Sequence, residues 1–118
     1  MGFKRNEIYN RLYNYNSITM KNISSAELRQ RITNNESLHL LDVREPDERL
    51  EFNIGGTFIP LGQIMAMQTD ELEHLKNEEI ICYCRSGKRS TQAAMMLETM
   101  GFTNVVNLDG GMLAWQNG

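Results

Sequence analysis

The sequence has little cysteine and little proline, and it contains no long hydrophobic run. Only two of its 118 residues are cysteine and two are proline. Charged or polar residues interrupt every apolar stretch before it reaches the roughly 18 residues of a membrane span. The cysteines, Cys82 and Cys84, are too close along an extended strand for normal disulfide geometry. We therefore expect no membrane partner and no secreted disulfide scaffold, but free thiols in a reducing, cytoplasmic compartment.

Neither sign of charge dominates the chain. Twelve Lys and Arg residues stand against fifteen Asp and Glu residues, which gives a net charge of −3. This mild acidity gives no reason to expect a nucleic-acid partner. The apolar fraction of 41% and the charged fraction of 23% are close to globular averages, and the length suits one hydrophobic core.

The first seventeen residues differ in composition from the rest. They are rich in Asn and Tyr and lack the apolar centre of a signal peptide. Ile8, Leu12 and Tyr15 have the spacing of one helix face. We assign residues 1–17 to an N-terminal extension and residues 18–118 to the domain. The extension either packs on the domain as an appendage or forms a helix that docks on a partner.

From residue 18 onward, short apolar strands alternate with helical segments. Ser24 and Glu27 have the spacing of a capping box, and Gly101 suits the end of the strongest predicted helix. The predicted strands cover residues 18–20, 38–43, 57–59, 79–84 and 104–108. The first predicted helix begins after Ser24. The others cover 46–50, parts of 61–75, 90–100 and 112–116. Such alternation favours an α/β fold with a parallel sheet.

One loop has the residues for chemistry. Cys84 follows a predicted buried strand and precedes the start of the strongest helix. Ligands of open α/β sheets bind at this end of the strands, and a helix N-terminus favours anions. Arg85, Lys88 and Arg89 add three cations to the same short segment. All these features favour a thiolate, and so we expect the pKa of Cys84 to lie below the value of about 8.5 of a free cysteine.

Four segments, in this order, resemble the motifs of the rhodanese family of sulfurtransferases. The first three are LDVRE at 41–45, NIGGTFIPL at 53–61 and CRSGKRS at 84–90. The third segment, CRSGKRS, matches the family's C-R-S-G-x-R-S active-site loop at every fixed position. The fourth, GFTNVVNLDGGMLAW at 101–115, matches the closing pattern of the family. Asn53 stands where the family often has His, and Thr57 replaces a usual small residue.

The resemblance implies a rhodanese-like fold, with a five-stranded parallel sheet flanked by helices on both faces. It implies that Cys84 takes a sulfane sulfur from a small-molecule donor such as thiosulfate and becomes a persulfide. An acceptor, which is cyanide in an assay or a thiol in the cell, then removes that sulfur in a ping-pong course. No metal or organic cofactor is implied. The implied substrate-binding residues are Arg85, Ser86, Gly87, Lys88, Arg89 and Ser90.

Two further features have a structural and a functional interpretation. Asp42 and Arg44 end a predicted strand near the same sheet edge as Cys84. They either border the substrate pocket or, as we favour, support the loop through an ion pair. Cys82 points to the same face as Cys84 but deeper, and we interpret it as a core residue and not as a resolving thiol.

Two other functions fit parts of the pattern. Cysteine phosphatases and arsenate reductases use C-x5-R, whereas four residues separate Cys84 from Arg89 here. A loop one residue shorter encloses a smaller anion and suits sulfur better than a phosphoryl group. The second alternative is a carrier or interaction module that delivers sulfur to a protein partner, which would use the same persulfide.

Overall fold

Residues 20–118 of the chain are described here from a computed structural model. Five short strands form one sheet in which every pair of neighbours is parallel, in the order β1-β5-β4-β2-β3. The strands are β1 (Lys21–Ile23), β2 (Leu40–Asp42), β3 (Thr57–Phe58), β4 (Ile80–Tyr83) and β5 (Val105–Leu108). The predicted five-stranded parallel sheet is confirmed.

Helices alternate with the strands along the chain and cover both faces of the sheet. They are α1 (Ser25–Thr33), α2 (Pro46–Glu51), α3 (Leu61–Met65), a 3-10 helix (Asp70–Leu75), α4 (Lys88–Thr99) and α5 (Gly111–Asn117). Successive side chains of β4 enter opposite cores. Cys82 lies in the core that α3 and α4 cover, whereas Ile81 lies in the core that α1 and α5 cover. The α/β class predicted from the sequence is therefore confirmed.

Local sequence signals account for most helix starts. The Ser24 hydroxyl accepts a hydrogen bond from the Glu27 amide at 3.0 Å, as the predicted N-cap requires. Pro46 begins α2, where its missing N–H costs nothing. Gly87 precedes α4 with a φ of 101°, so α4 starts at Lys88, two residues before the predicted start. A left-handed φ of this kind favours glycine.

The N-terminal boundary is only partly covered by the structure. The extension predicted over 1–17 lies outside the described residues. The strand predicted over 18–20 falls mostly there too, and its last residue, Met20, precedes β1. Between residues 20 and 118, no helix has the length and apolar character needed to cross a bilayer.

A glycine turn brings β3 beside β2. Gly56 has a φ of 86°, and a Cβ atom there would overlap the backbone oxygen and the Cβ of Leu40. Leu41 then pairs with Thr57 in the sheet. The close approach of these backbones therefore requires a residue without a side chain at position 56.

We expect Gly56→Ala to lower the free energy of unfolding by about 3 kcal/mol, since it combines a left-handed φ with overpacking. Gly62→Ala is the matched control, because a Cβ at Gly62 has no neighbour within 4 Å. It should leave stability unchanged or raise it by less than about 1 kcal/mol. Urea unfolding of both variants checks this, and equal effects would contradict the close-approach argument.

Candidate active site

Cys84 lies immediately after β4, at the carboxyl edge of the sheet, and its side chain is fully buried. The left-handed turn at Gly87 points the loop amides back toward its sulfur. Sγ accepts hydrogen bonds from the Gly87 amide at 3.1 Å and from the Ser90 amide at 3.3 Å. The Ser90 hydroxyl oxygen also lies 3.3 Å from Sγ. The cysteine predicted as nucleophile thus lies inside a ring of hydrogen-bond donors.

The carbonyl groups of the same loop are held away from the sulfur by α5. The Met112 amide donates to the Cys84 oxygen at 2.8 Å, and the Leu113 amide donates to the Arg85 oxygen at 2.9 Å. Gly111 makes this contact feasible, because a Cβ there would lie 2.5 Å from both carbonyl oxygens. The first turn of α5 therefore fixes the loop in the orientation that turns its amides inward.

The two thiols differ in acidity. Burial raises the pKa of Cys84, but hydrogen bonds from the Ser90 hydroxyl and from the amides of Ser90, Gly87 and Ser86 outweigh it, so the pKa lies below its ordinary value. Burial, with a smaller effect of charge on Cys84, raises the pKa of Cys82 to about 12. Of the two cysteines, Cys84 is therefore the one whose surroundings favour the thiolate.

The cations of the loop are not equivalent. Arg85 and Lys88 are exposed, whereas the Arg89 guanidinium makes two hydrogen bonds to the carboxylate of Glu48, at 2.7 and 2.8 Å. Glu48 also accepts from the Glu45 amide at 2.9 Å. The Arg89 guanidinium, together with this amide, lowers the pKa of Glu48 to about 2. Arg89 is thus neutralised by a carboxylate that the sequence analysis did not single out.

Asp42 and Arg44 form the ion pair that we favoured from the sequence. Arg44 Nε lies 2.8 Å from Asp42 Oδ1, and Arg44 Nη2 lies 2.9 Å from Oδ2. Both side chains are buried. Arg44 Nη2 also donates to the Phe52 oxygen at 2.6 Å, which ties the end of β2 to the segment after α2. Arg44 in addition borders a groove of about 440 Å³ beside Arg85. The position of Arg44 therefore suits both support of the loop and contact with a substrate pocket.

The rhodanese-like domain profile matches residues 24–118. The chain belongs to the rhodanese-like family. It is 39% identical over 99 residues to the Bacillus subtilis protein named "Putative sulfurtransferase YtwF", covering 82% of this chain and 91% of that one. It is 38% identical over 101 residues to "Putative sulfur carrier protein YrkF" of the same organism, covering 85% of this chain but only 53% of YrkF.

Solved structures agree with this assignment. The rhodanese-like domain protein of Staphylococcus aureus superposes with a TM-score of 0.70 at 32% identity, covering 81% of this chain and 91% of that one. The protein is therefore a member of the rhodanese-like sulfurtransferases. In this rhodanese-like domain, residues 20–118 bring no three His, Cys, Asp or Glu side chains together in a way that could hold a metal ion.

The sequence analysis missed two residues that lie near the loop after β4. Asn107 is buried in β5, and its amide oxygen accepts a hydrogen bond from the Ser90 hydroxyl. Its signal was a polar residue among the apolar residues of a predicted buried strand. Glu48 had a weaker signal, its spacing of three residues from Glu45, which is that of a capping box. Neither signal indicates which distant side chain is the partner.

We expect Arg44→Met to destabilise the protein by about 3–5 kcal/mol, because it leaves the Asp42 carboxylate buried without its main partner. The double variant Asp42→Asn/Arg44→Met should lose clearly less free energy of unfolding than the sum of the losses in Asp42→Asn and Arg44→Met alone. Glu73→Gln is the control, since it removes an exposed ion pair to Lys76 and should cost less than about 1 kcal/mol. Additive losses in urea unfolding would contradict this coupling.

Proposed function

We propose that the protein moves a sulfane sulfur from thiosulfate or a persulfide donor to a thiophilic acceptor through a persulfide on Cys84. The observation that carries the proposal is the ring of donors around Sγ, formed by the amides of Gly87 and Ser90 and the hydroxyl of Ser90. A thiolate in such a ring needs no separate general base, because the hydrogen bonds to Sγ already favour loss of its proton.

In the first step, the Cys84 thiolate attacks the outer sulfur of thiosulfate. A new sulfur–sulfur bond forms on Sγ, and the bond between the outer sulfur and the sulfonate sulfur breaks. Sulfite leaves with the electron pair of that bond, so no oxidant or reductant is consumed. The terminal sulfur of the persulfide is again an anion, and the loop amides of residues 86–90 are disposed to stabilise it.

In the second step, cyanide or a thiolate attacks the terminal sulfur. The bond between Sγ and that sulfur breaks, and the Cys84 thiolate leaves into the same ring of donors. The product is thiocyanate or a new persulfide. Cys84 has no exposed surface in this structure, so both substrates require local movement of the groups that cover it.

The remaining assignments follow from position. We propose that Arg85, Ser86, Gly87, Lys88, Arg89 and Ser90 form the donor site and that Asp42 and Arg44 support it. The exposed cations Arg85 and Lys88 are disposed to attract a dianionic donor, whereas Arg89 must share its charge with Glu48. We also keep residues 1–17 as an N-terminal extension of a domain that covers 18–118.

A carrier role is the second candidate. The likeness to YrkF, a protein whose name describes a sulfur carrier, favours delivery of the Cys84 persulfide to a protein acceptor. The chain spans about half of YrkF, so this support concerns the shared domain alone. Rapid loading of Cys84 with slow transfer to cyanide and small thiols would favour the carrier over the enzyme.

We expect Cys84→Ser to abolish sulfur transfer from thiosulfate to cyanide, and Cys82→Ala to retain most of it, because Cys82 stays protonated in the core. Intact mass after thiosulfate treatment should show one added sulfur atom that cyanide removes. A folded Cys82→Ala variant as inactive as Cys84→Ser would contradict the assignment. Cys84-dependent hydrolysis of a phosphate ester faster than sulfur transfer would favour the phosphatase alternative.

We expect Glu48→Gln to raise kcat/KM for dianionic thiosulfate by about tenfold relative to a monoanionic alkyl persulfide, since it frees the charge of Arg89. Because the pKa of Glu48 is about 2, the carboxylate is charged at every assay pH. Glu51→Gln is the matched control, as Glu51 is an exposed acid on the same helix and borders the same groove. Equal gains in both variants would show that pairing with Arg89 is irrelevant.

A further inference from the structure

A row of polar side chains lies beneath the active-site loop, on the face of the sheet that Cys84 shares. Asn22 of β1, Asn107 of β5 and Cys82 of β4 are direct neighbours in the strand register. Asn107 is 3% exposed and bonds to Ser90, whose hydroxyl oxygen reaches Cys84 Sγ at 3.3 Å. A chain of hydrogen bonds therefore links the edge strand to the reactive sulfur.

The Ser90 hydroxyl has one proton and three acceptors within reach. They are the Gly87 oxygen at 3.2 Å, the amide oxygen of Asn107, and Cys84 Sγ. The Gly87 oxygen is already served by Thr91, whose hydroxyl lies at 2.7 Å and whose amide lies at 3.1 Å. The competition for the Ser90 proton is thus between Asn107 and Cys84.

The orientation of the Asn107 amide is set from its other side. Its Nδ2 donates to the Asn22 Oδ1 at 3.0 Å, so its oxygen is the end that faces Ser90. Asn107 lies between Val106 and Leu108 along β5. A buried amide at such a position needs hydrogen-bond partners, because leaving it unpaired costs free energy. Asn107 therefore presents a fixed acceptor to the Ser90 hydroxyl.

We propose that Asn107 is a positioning residue of the active site, whose amide oxygen competes with Cys84 for the hydroxyl proton of Ser90. When Cys84 is a thiol, its S–H donates to Ser90 and Ser90 donates to Asn107. When Cys84 is a thiolate, the hydroxyl turns and donates to Sγ, and the Asn107 oxygen loses this donor. Asn107 thereby favours the thiol form, and this inference rests on the proposed role of the Cys84 thiolate.

Other charged and titratable groups around Cys84 are left in place by the variants that test this proposal. They lie on the strands, helices and loops packed around the site: Cys82 on β4, Lys88 and Arg89 on α4 with Glu48 on α2, Asp42 and Arg44 at the end of β2, Arg85 in the loop, and Asp109 after β5. A change in the acidity of Cys84 in a neutral Asn107 variant therefore reports on the hydrogen-bond competition.

The test is the pH profile of Cys84 alkylation by iodoacetamide, followed by intact mass with Cys84→Ser as the blank for Cys82. Asn107→Leu should react about fivefold faster than wild type below the pKa of Cys84, and equally fast well above it. Asn107→Asp and Ser90→Ala should react more slowly below the pKa. In a Ser90→Ala background, Asn107→Leu should change nothing, because the proton in dispute is gone.

Thr91→Val is the matched control, since it removes a neighbouring hydroxyl that bonds Gly87 but not Cys84, while the Thr91 amide still donates to the Gly87 oxygen. Its profile should match that of wild type. A uniform rise of the Asn107→Leu rate at every pH would indicate a loosened loop and overturn the proposal, as would an unchanged profile. Wild type that gains no sulfur from thiosulfate would overturn the proposed function, while the alkylation profile would still decide the role of Asn107.

Discussion

The convergence of backbone amides on one sulfur atom is the constraint on which the site depends. Gly87 supplies the turn that directs these amides inward, and it does so only in a left-handed conformation. The outward carbonyls then need partners of their own, and the amides of Met112 and Leu113 provide them. The amides at the start of α4 therefore contact the sulfur on one side of the loop. On the other side, α5 binds the carbonyl groups of the loop.

Charge pairing organises the rim of the same site. The pair of Asp42 and Arg44 is buried, whereas the pair of Glu48 and Arg89 is half-buried and joins α2 to α4. Removing one partner of the buried pair leaves a buried charge without compensation. This pair therefore contributes mainly to the stability of the fold. The half-buried pair instead offsets part of the positive charge of the loop.

The sequence predicts the fold well, because the fold depends on local patterns, and a local pattern also singles out Cys84 between a strand and a helix. Apolar strands, the Ser24 cap and the CRSGKRS loop are all visible along the chain. Glu48 and Asn107 were missed as site residues because their partners, Arg89 and Ser90, lie 41 and 17 residues away. The start of α4 was misplaced for a different reason. The loop motif runs through Lys88 and Arg89, whereas the helix itself already begins at Lys88, directly after the turn at Gly87.

The strand order has a consequence for synthesis on the ribosome. β5 lies between β1 and β4, so β1 has no partner among the other described strands until β5 emerges. The contacts that hold the Cys84 and Arg85 carbonyls come from residues that follow β5. A nascent chain that has just completed the loop therefore carries its cysteine before α5 holds the loop carbonyls outward. The arrangement around Cys84 is therefore completed late in folding, only after β5 has been inserted between β1 and β4.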